Sequence, residues 1–591
     1  MDQIVDLRAA PPDRAVASAS GGSPPGAQRS LNPRAIAFLT LVNNDTQYAT
    51  CLRYLDALQI PAGYSVEKVA VYGATSMAEG YQRAMESSTA RYKLYVHQDT
   101  YLVHRGLLPE LLHLFDTYPR LGMVGVVGAT RLPAKAIWWL NNAFHCYGRL
   151  REYFRPGGFP ASLYLRRRIL HFSRFRSVVG DYQPAAVVDG LFLATQYDLP
   201  WANSLGGFEL YDHVQALEFI KAGLEVGIAR QEAIWCLHWG PPETRSREQL
   251  RLRDDEMFRR AAVIRQRNPT YIGVPVRKLL WQHRHDFHSP YPARERLGVV
   301  IVASDGRQAL LRALRALLPQ CDALKQVEYE VVVVDNTSAD GVAEDVHHEF
   351  PHVLVLPRPA EGGAASACNV GLRQLGFPTY VLVMHDGAEI AAGALPRMVQ
   401  YLGKHPSTAG VVATLTDQNG TGLPQRIAIL DPVPRRPLRP QRVTFIGRTC
   451  ALVRGEALFD IGLYDDRFHA GYEDLEWSLR VRRKGYAFAF LPEARVTHHR
   501  AADANGAQAN GAADRLVDSL WLVHKYGGRR WAVPLYWAQR LRAWWLALRW
   551  RHDSAARGRL DEAIARMRGL YRRFRDENRL PRPLLHETPE R

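Results

Sequence analysis

The sequence predicts an α/β protein with two related domains in tandem, each built on a mostly parallel, Rossmann-like sheet, followed by a basic helical tail. Apolar strand-like runs alternate with helix-like runs in both halves, which is typical of parallel sheets covered by helices. A block made of a carboxylate, a helix, a strand and a histidine also occurs once in each half. At 591 residues the chain is too long for one core, and two domains of roughly 200–250 residues fit that length.

The clearer copy of this block lies in the second half. The acidic pair Glu473-Asp474 precedes a helix-forming run that stops at Gly485. A glycine suits a helix C-cap because it adopts a left-handed backbone at little cost. The apolar run AFAFL is typical of a buried strand, and the histidines His498 and His499 close the block.

A paler copy lies in the first half. Asp212 precedes the run HVQALEFIKAG, and Gly223 follows it by eleven residues, the same separation as between Asp474 and Gly485. A strand-like VGIA run and then His238 complete the copy. The repetition indicates two related domains.

Composition narrows the class of protein. The chain has 47% hydrophobic residues, but no apolar run approaches the ~20 residues needed to cross a bilayer. Six scattered cysteines without C-x-x-C spacing favour reduced thiols and a cytoplasmic protein. The net charge of +17 is compatible with nucleic acid, anionic lipid or phosphate-bearing substrates, and equally with a solvated basic surface. Nucleic acid is disfavoured because no recognition motif accompanies the basic residues.

Acidic residues follow several predicted strands. The predicted strands are, in chain order, Ala35–Leu41, Val69–Tyr72, Tyr92–Val96, Gly298–Ala303, Tyr329–Val334 and Tyr380–Met384. Asp99 comes just after the third strand, and Asp335 and Asp386 come after the last two. Parallel sheets bind ligands at the carboxyl ends of their strands, so we expect these carboxylates at binding sites.

Such carboxylates suit two kinds of chemistry. One at a strand end can share Mg²⁺ or Mn²⁺ with a substrate diphosphate, whose developing charge the ion neutralises. One at a helix start, as at Asp212 or Asp474, can take a proton from an attacking hydroxyl. Each of these residues could instead have a structural role. An aspartate at a helix start is often only an N-cap, and a lone histidine, such as the one that closes each block, is often a core residue. The order of the whole set is more specific than any member.

The order of motifs in the second half resembles the family 2 glycosyltransferases, which have the GT-A fold. The matching pieces are VVVVDNTSADG, GGAASACNVGL, LYDDRFHAGYEDLEWSLRVRRKGY and LPEARVTHH, and they look most like the rhamnosyltransferase-type branch. The first half resembles a more divergent bacterial branch through ATSMAEGYQRAM, YKLYVHQDTYL, VDGLFLATQYDLPW, ELYDHVQALEF and WCLHWG.

The resemblance assigns roles to individual residues. It implies catalytic roles for Asp474, Glu473 and Asp212, nucleotide-sugar binding by Asp335, Asn369, Asp386 and Asp45, and metal or diphosphate contacts by Asp99, His238, Asp386 and His498. It further implies a divalent cation, Mn²⁺ or Mg²⁺, a UDP- or dTDP-linked sugar donor, and a glycan or lipid-linked acceptor.

The second domain departs from the family pattern at one position. Aligning YKLYVHQD with YVLVMHDG places Gly387 opposite Asp99, where the family usually has its metal-binding aspartate. Asp386 lies one residue earlier. Three interpretations stay open: Asp386 is a shifted ligand, the site works without a metal, or the domain only binds. We expect the first, because Gly387 permits the local backbone change that such a shift needs.

The expected organisation is a disordered leader at 1–31, domains at 32–242 and 297–526, a helical linker at 243–296 and a basic aromatic helical tail at 527–591. The tail mixes tryptophan with arginine, which suits an interfacial helix on an anionic membrane, and equally suits packing across the two domains. The aromatic segment from Arg131 to Arg176 is either a lid or acceptor surface or a helical insertion.

These expectations combine into a function. The chain is predicted to be a cytoplasmic bacterial glycosyltransferase, at the inner face of the membrane, that builds a surface polysaccharide or glycoconjugate by an inverting displacement. The alternative is one catalytic domain joined to one domain that binds carbohydrate or acceptor.

Overall fold

The computed structural model describes residues 2–7, 31–153, 175–239, 247–283, 296–304, 306–325, 327–335, 342–357, 363–423, 425, 439–468, 471–499 and 504–576. The chain divides into two compact units. The first comprises Met1–Phe115, Arg120–His288 and Arg573–Arg591, and the second comprises Asp116–Pro119 and Ser289–Arg572.

The first unit alternates strands and helices along most of its length. Its strands are β1 (Asp2–Asp6), β2 (Asn32–Val42), β3 (Ser65–Tyr72), β4 (Ala90–Val96), β5 (Thr100–Leu102), β6 (Leu121–Gly125), β7 (Val127–Ala129), β8 (Cys146–Gly148), β9 (Arg151–Tyr153), β10 (Tyr182–Pro184), β11 (Val187–Val188), β12 (Phe192–Thr195), β13 (Glu225–Ala229) and β14 (Cys236–Trp239). Its helices are α1 (Asp45–Asp56), α2 (Met77–Ser87), α3 (Leu107–Thr117), α4 (Tyr211–Lys221), α5 (Arg247–Arg267) and α6 (Val276–Gln282).

Among these described residues, the main sheet of the first unit has eight strands in the order β1-β3-β2-β4-β12-β6-β13-β10. Strands β1, β3, β2 and β4 are parallel, whereas β12 runs antiparallel to both β4 and β6. Two small sheets, β11-β7-β8 and β5-β14-β9, stand beside it. The carboxyl ends of β2, β3 and β4 therefore meet at one edge.

The second unit repeats the alternation. Its strands are β15 (Arg296–Ala303), β16 (Glu328–Asp335), β17 (Leu354–Pro357), β18 (Tyr380–His385), β19 (Ala388–Ile390), β20 (Thr408–Thr416), β21 (Gln441–Val443), β22 (Cys450–Arg454) and β23 (Ala487–His498). Its helices are α7 (Arg307–Asp322), α8 (Val342–Glu349), α9 (Ala364–Leu375), α10 (Ala394–Lys404), α11 (Gly455–Ile461), α12 (Tyr472–Lys484), α13 (Ala504–Gly527), α14 (Arg529–Arg549) and α15 (Ser554–Asp576).

The sheet of the second unit follows the same plan. Its described strands run in the order β17-β16-β15-β18-β22-β20-β23-β19, with β21 paired to β23. The order β16-β15-β18-β22-β20-β23 matches β3-β2-β4-β12-β6-β13 of the first unit, and β22, like β12, is antiparallel to both neighbours. Both units are thus mixed α/β domains with a mostly parallel sheet, as the sequence predicts.

Strand β15 shows why the apolar runs become central strands. Val299 and Ile301 pack into the core on one side of the sheet, and Val300 and Val302 pack into a second core on the other side. A strand covered on both faces needs apolar residues at every position rather than at alternate ones. The run GVVIVA meets that requirement.

Two expectations about the ends of the first domain are corrected. The leader is not wholly irregular, because Asp2–Asp6 pair in parallel with β3 as an edge strand, while residues 8–30 lie outside the described residues. The segment expected as a linker belongs to the first unit. Val276, Leu279 and Leu280 of α6 are buried in its core, so this segment serves packing as well as connection.

Helix α12 has the predicted ends. Gly485 lies at its C-cap with a φ of 84°, and its N–H donates to the carbonyl of Arg482. Among the described helices, none combines the length and apolar character that crossing a membrane requires.

Candidate active sites

The carboxyl ends of three strands are tied together in the first unit. Gln98, after β4, accepts hydrogen bonds from the backbone N–H groups of Asn43 and Asn44, both at 3.0 Å. Its amide also donates to the side chain of Asn43. Asp45, exposed in the first turn of α1, accepts from the hydroxyl of Tyr72 at 3.0 Å. Asp45 therefore lies at the carboxyl edge of the parallel strands.

Asp99 lies at the same edge and contacts the terminal histidine. Strand β14 pairs antiparallel with β5 so that His238 stands opposite Thr100, the residue after Asp99. As a result the His238 Nε2 atom lies 3.5 Å from Asp99 Oδ2. The sequence predicted both residues for one site, and the strand pairing brings them together.

The environment of Asp99 suits a cation ligand. Burial acts to raise the pKa of Asp99, but the interactions with His238 and His97 outweigh it and hold the pKa below its ordinary value. The carboxylate is therefore ionised at neutral pH. Its second oxygen, Oδ1, is buried and makes no hydrogen bond to any described residue. A buried carboxylate oxygen without a donor is a position that a divalent cation fits.

Asp212 is held more tightly than the sequence suggests. Its Oδ2 accepts from the N–H of Gly190 at 2.9 Å, and its Oδ1 accepts from the N–H of His213 at 2.9 Å and contacts His213 Nδ1 at 2.7 Å. The backbone N–H of Trp138 donates to the other ring nitrogen of His213. Because Nε2 accepts this hydrogen bond, the ring proton of His213 is on Nδ1, which donates a hydrogen bond to Asp212.

Two further residues beside Asp212 escaped the sequence analysis. Tyr211 contacts His97 Nε2 at 2.6 Å and donates to the carbonyl of Gly190 at 2.9 Å. A Cβ at Gly190 would lie 2.2 Å from the Tyr211 hydroxyl, so that position requires glycine. The neighbouring Asp189 accepts from the N–H of Leu191 at 3.2 Å. The motif VDG, quoted only for its resemblance, is the signal that could have identified Asp189.

In the second unit the strand-end carboxylates differ in exposure. Asp335 ends β16 and is half-buried, while the Asn-Thr-Ser sequence after it lies outside the described residues. Asp386 turns inward: its side chain is fully buried, and Oδ2 accepts from the N–H of Ser304 at 2.7 Å. The two carboxylates thus lie at the carboxyl ends of the strands that flank β15 on either side.

Asn369 lies in the interior of the second unit. Its side-chain amide donates to the carbonyl of Tyr464 at 2.8 Å, and its amide oxygen accepts from the N–H of the same residue at 2.9 Å. The side chain is buried in α9. This is the geometry of a structural bond rather than of a nucleotide contact.

The terminal histidine recurs in the second unit without the aspartate. Strand β19 pairs antiparallel with β23 so that His498 stands opposite Ala388, the residue after Gly387. The next residue, His499, donates its N–H to the carbonyl of Gly387 at 2.8 Å and contacts Glu389 at 2.8 Å. His498 thus has the strand register of His238, opposite the residue that follows Gly387.

The acidic pair at the start of α12 surrounds an arginine. Arg448 donates through Nε to Asp474 at 2.8 Å, through Nη2 to Glu473, and through its backbone N–H to Asp474 at 3.3 Å. Burial raises the pKa of Asp474 and Glu473 adds to the rise, while Arg448 opposes them. The Oε2 atom of Glu473 is buried with no hydrogen bond to a described residue.

A mostly parallel sheet with an antiparallel strand inserted between two of its strands is the architecture of the GT-A fold, and it is present here twice. A model of a glycosyltransferase-like family matches residues 37–253, and a model of glycosyltransferase-like family 2 matches residues 293–513. The chain therefore carries two glycosyltransferase family 2 domains in tandem.

Individual relatives are distant. The N-acetylglucosaminyl-diphospho-decaprenol L-rhamnosyltransferase of Mycobacterium tuberculosis is 25% identical over 244 residues, which cover 36% of this chain and 79% of the relative. Among solved structures, GalNAc-T7 with UDP, GalNAc and Mn²⁺ is 18% identical with a TM-score of 0.31, and the match covers 39% of this chain and half of that one. The Pyrobaculum calidifontis mannosyltransferase PcManGT, in complex with GDP-Man and Mn²⁺, is 17% identical with a TM-score of 0.30, over 47% of this chain and 89% of that one.

We predict that Asp99→Ala abolishes Mn²⁺-supported donor binding in the first unit, because it removes the carboxylate that carries the buried, unbonded oxygen. Calorimetry of the full chain with UDP, with and without Mn²⁺, measures this effect. Asp56→Ala, which removes an exposed carboxylate of the same unit, is the matched control. Unchanged Mn²⁺-supported affinity in Asp99→Ala would show that Asp99 is not a ligand.

Proposed function

We propose that the chain transfers sugar from a nucleotide-diphosphate donor to a glycan or lipid-linked acceptor during assembly of a bacterial surface glycan. The observation that carries the proposal is the Asp99–His238 contact at the carboxyl edge of a parallel sheet, with a buried Asp99 oxygen that has no donor among the described residues. This arrangement suits a diphosphate held through a cation. A divalent cation bound there supplies Lewis-acid neutralisation of the leaving diphosphate.

The protein's own residues supply orientation and proton transfer. Asp335 at the end of β16 and Asp45 at the start of α1 lie at the carboxyl edges of their sheets, where a nucleotide would bind. Asp212 and Asp474 each stand in the first turn of a helix beside that edge. In an inverting displacement the carboxylate takes the proton of the acceptor hydroxyl. The hydroxyl oxygen bonds to the anomeric carbon from the face opposite the diphosphate, as the bond between that carbon and the diphosphate oxygen breaks. The raised pKa of Asp474 favours accepting that proton.

The acceptor class is supported by the mycobacterial relative. Its name describes transfer of L-rhamnose to a sugar diphosphate carried on decaprenol. We extend from it only the class of acceptor, a lipid-linked glycan. The second candidate function is one catalytic domain with one binding domain, and Gly387 in the second unit favours that alternative.

We predict that a full-chain donor screen detects acceptor-dependent release of a nucleoside diphosphate, and that Asp212→Asn or Asp474→Asn lowers turnover in the unit that carries it. The loss should be about 10²–10⁴-fold if the carboxylate is the general base. Asp561→Asn, which changes an exposed carboxylate on α15, should leave turnover unchanged. Turnover within a few-fold of wild type, with an unchanged melting temperature, would reduce either aspartate to a helix cap.

Helix α14 carries an exposed apolar face that suits contact with a membrane surface. Trp537, Trp544 and Trp545 are 60%, 62% and 54% exposed, and the seven- and eight-residue spacing puts them on one helix face. Leu541 and Leu548 are exposed on that face too. The opposite side of the helix is buried through Ala532, Tyr536, Gln539, Ala543 and Leu546.

The charge beside this face matches an anionic bilayer. Arg529, Arg530, Arg542 and Arg549 of the same helix are exposed. Tryptophan rings favour the interface between lipid headgroups and acyl chains, and neighbouring arginines are attracted to anionic headgroups. A helix of this composition would hold the chain against the membrane that carries a lipid-linked acceptor.

We predict that the full chain co-sediments with vesicles of phosphatidylglycerol and phosphatidylcholine, and less with phosphatidylcholine alone. Replacing Trp537, Trp544 and Trp545 together by serine should weaken binding at least tenfold, because the apolar contact is lost. Trp281→Ser is the matched control, since Trp281 is 58% exposed but lies on α6. Undiminished vesicle binding by the triple variant would exclude this face.

A further inference from the structure

The strand registers align the two sites residue by residue. Val96 of β4 stands opposite Phe192 of β12, and Met384 of β18 stands opposite Cys450 of β22. The hydrogen bond that follows each pair is also shared, because the N–H of His97 donates to the carbonyl of Leu191 at 3.1 Å and that of His385 donates to Thr449 at 3.2 Å. The segments 96–100 and 384–388 are therefore equivalent, as are 189–192 and 447–450.

The equivalence extends to the start of the acidic helix. Gly190 donates its backbone N–H to Asp212, and Arg448 donates its own to Asp474. Positions of the first unit correspond to positions of the second as follows: Asp99 to Gly387, Asp189 to Gly447, Gly190 to Arg448, Tyr211 to Glu473 and Asp212 to Asp474.

The charges at these positions differ between the units. In the first unit the set contains three carboxylates and no basic side chain. In the second unit the set contains two carboxylates, both bonded to an arginine, because the two loop aspartates are replaced by glycine, the glycine by arginine and the tyrosine by glutamate. A divalent cation needs anionic oxygen ligands, so the second set is much less suited to hold one. A guanidinium is instead a ligand for phosphate oxygens.

Asp386 has the position and the task of Gln98 rather than the position of Asp99, and its Oδ1 lies 3.2 Å from His385 Nδ1. Gln98 accepts from the N–H of Asn43, the first residue after β2. Asp386 accepts from the N–H of Ser304, the first residue after β15. Each side chain holds the loop after the first strand of its sheet, and that of Asp386 is fully buried in doing so.

Arg448 has room to receive an anion. Its side chain is 17% exposed, and Nη1 makes no hydrogen bond to a described residue, whereas Nε and Nη2 bond to Asp474 and Glu473. A Cβ added at Gly447 would lie 3.8 Å from Phe445 and 3.9 Å from Asp474 Oδ2, which is ordinary van der Waals contact rather than a clash. The two carboxylates fix the guanidinium in place.

We infer that the second unit binds a nucleoside diphosphate without a divalent cation, with Arg448 supplying the positive charge, and that the divalent cation of this chain is held only in the first unit by Asp99. The inference rests on the proposed function, since it assumes a nucleotide-diphosphate donor. The two repeated units would then bind the diphosphate differently, the first through a divalent cation and the second through an arginine.

The test uses the full chain with UDP and dTDP as probes. Bound Mn²⁺ is counted by electron paramagnetic resonance in the presence of nucleotide, and nucleotide binding is measured by calorimetry with chelator. We expect one Mn²⁺ per chain, lost in Asp99→Asn and retained in Asp386→Asn. We expect chelator-resistant nucleotide binding that is unchanged in Asp99→Asn and at least tenfold weaker in Arg448→Gln.

Arg448→Lys keeps a positive charge beside Glu473 and Asp474, so it tests the site if Arg448→Gln fails to fold. It should also weaken chelator-resistant binding, because lysine cannot replace the fixed fork of donors. Loss of Mn²⁺ in Asp386→Asn, or chelator-sensitivity of all nucleotide binding, would overturn the inference while leaving the proposed function intact. Failure to bind either nucleotide under any condition would overturn both.

Discussion

The backbone pairing between a short strand and the last strand of the fold fixes what each site contains. In the first unit β5 pairs with β14, and in the second β19 pairs with β23. Each pairing sets a histidine opposite the residue that follows the strand-end position. Because this register comes from backbone hydrogen bonds, it is retained whatever side chain occupies that position. An aspartate there gives the Asp99–His238 contact, whereas the second unit has Gly387 at that position.

The same constraint explains how one frame can carry two different sites. Backbone bonds hold the loop of Asp189 and Gly190 and the loop of Gly447 and Arg448 in equivalent places. Side chains on these loops can therefore change sign without altering the fold. The buried Arg448 charge is balanced by Glu473, which occupies the place of Tyr211. A change from glycine to arginine is accompanied by a change from tyrosine to carboxylate, and buried charges remain paired.

Many of the secondary-structure elements, and the strand-end positions of two site residues, were predictable because they depend on local sequence. Apolar runs predicted the central strands, the glycine at 485 predicted the end of α12, and the strand-end positions of Asp99 and Asp335 followed from the runs before them. What could not be predicted depends on contacts between distant residues. The bond between Ser304 and Asp386 spans 82 residues, and the bond between Asn369 and Tyr464 spans 95. The local sequence around Asp386 or Asn369 does not distinguish a side chain that faces a ligand from one that holds a loop in place.

The missed residues left a weak signal in the sequence. Aligning VDGLFLAT with IGRTCALV by their apolar positions places Asp189 over Gly447 and Gly190 over Arg448. The two segments share little identity, and it is the strand registers that show them to be equivalent.

The central claim is that the two units differ in cation binding at equivalent positions. Crystals of the full chain grown with Mn²⁺ and UDP, measured at the manganese absorption edge, test it directly. The account predicts an anomalous difference peak beside Asp99 Oδ1 and none at the equivalent position beside Gly387. A peak beside Gly387, coordinated by Asp386, would contradict it.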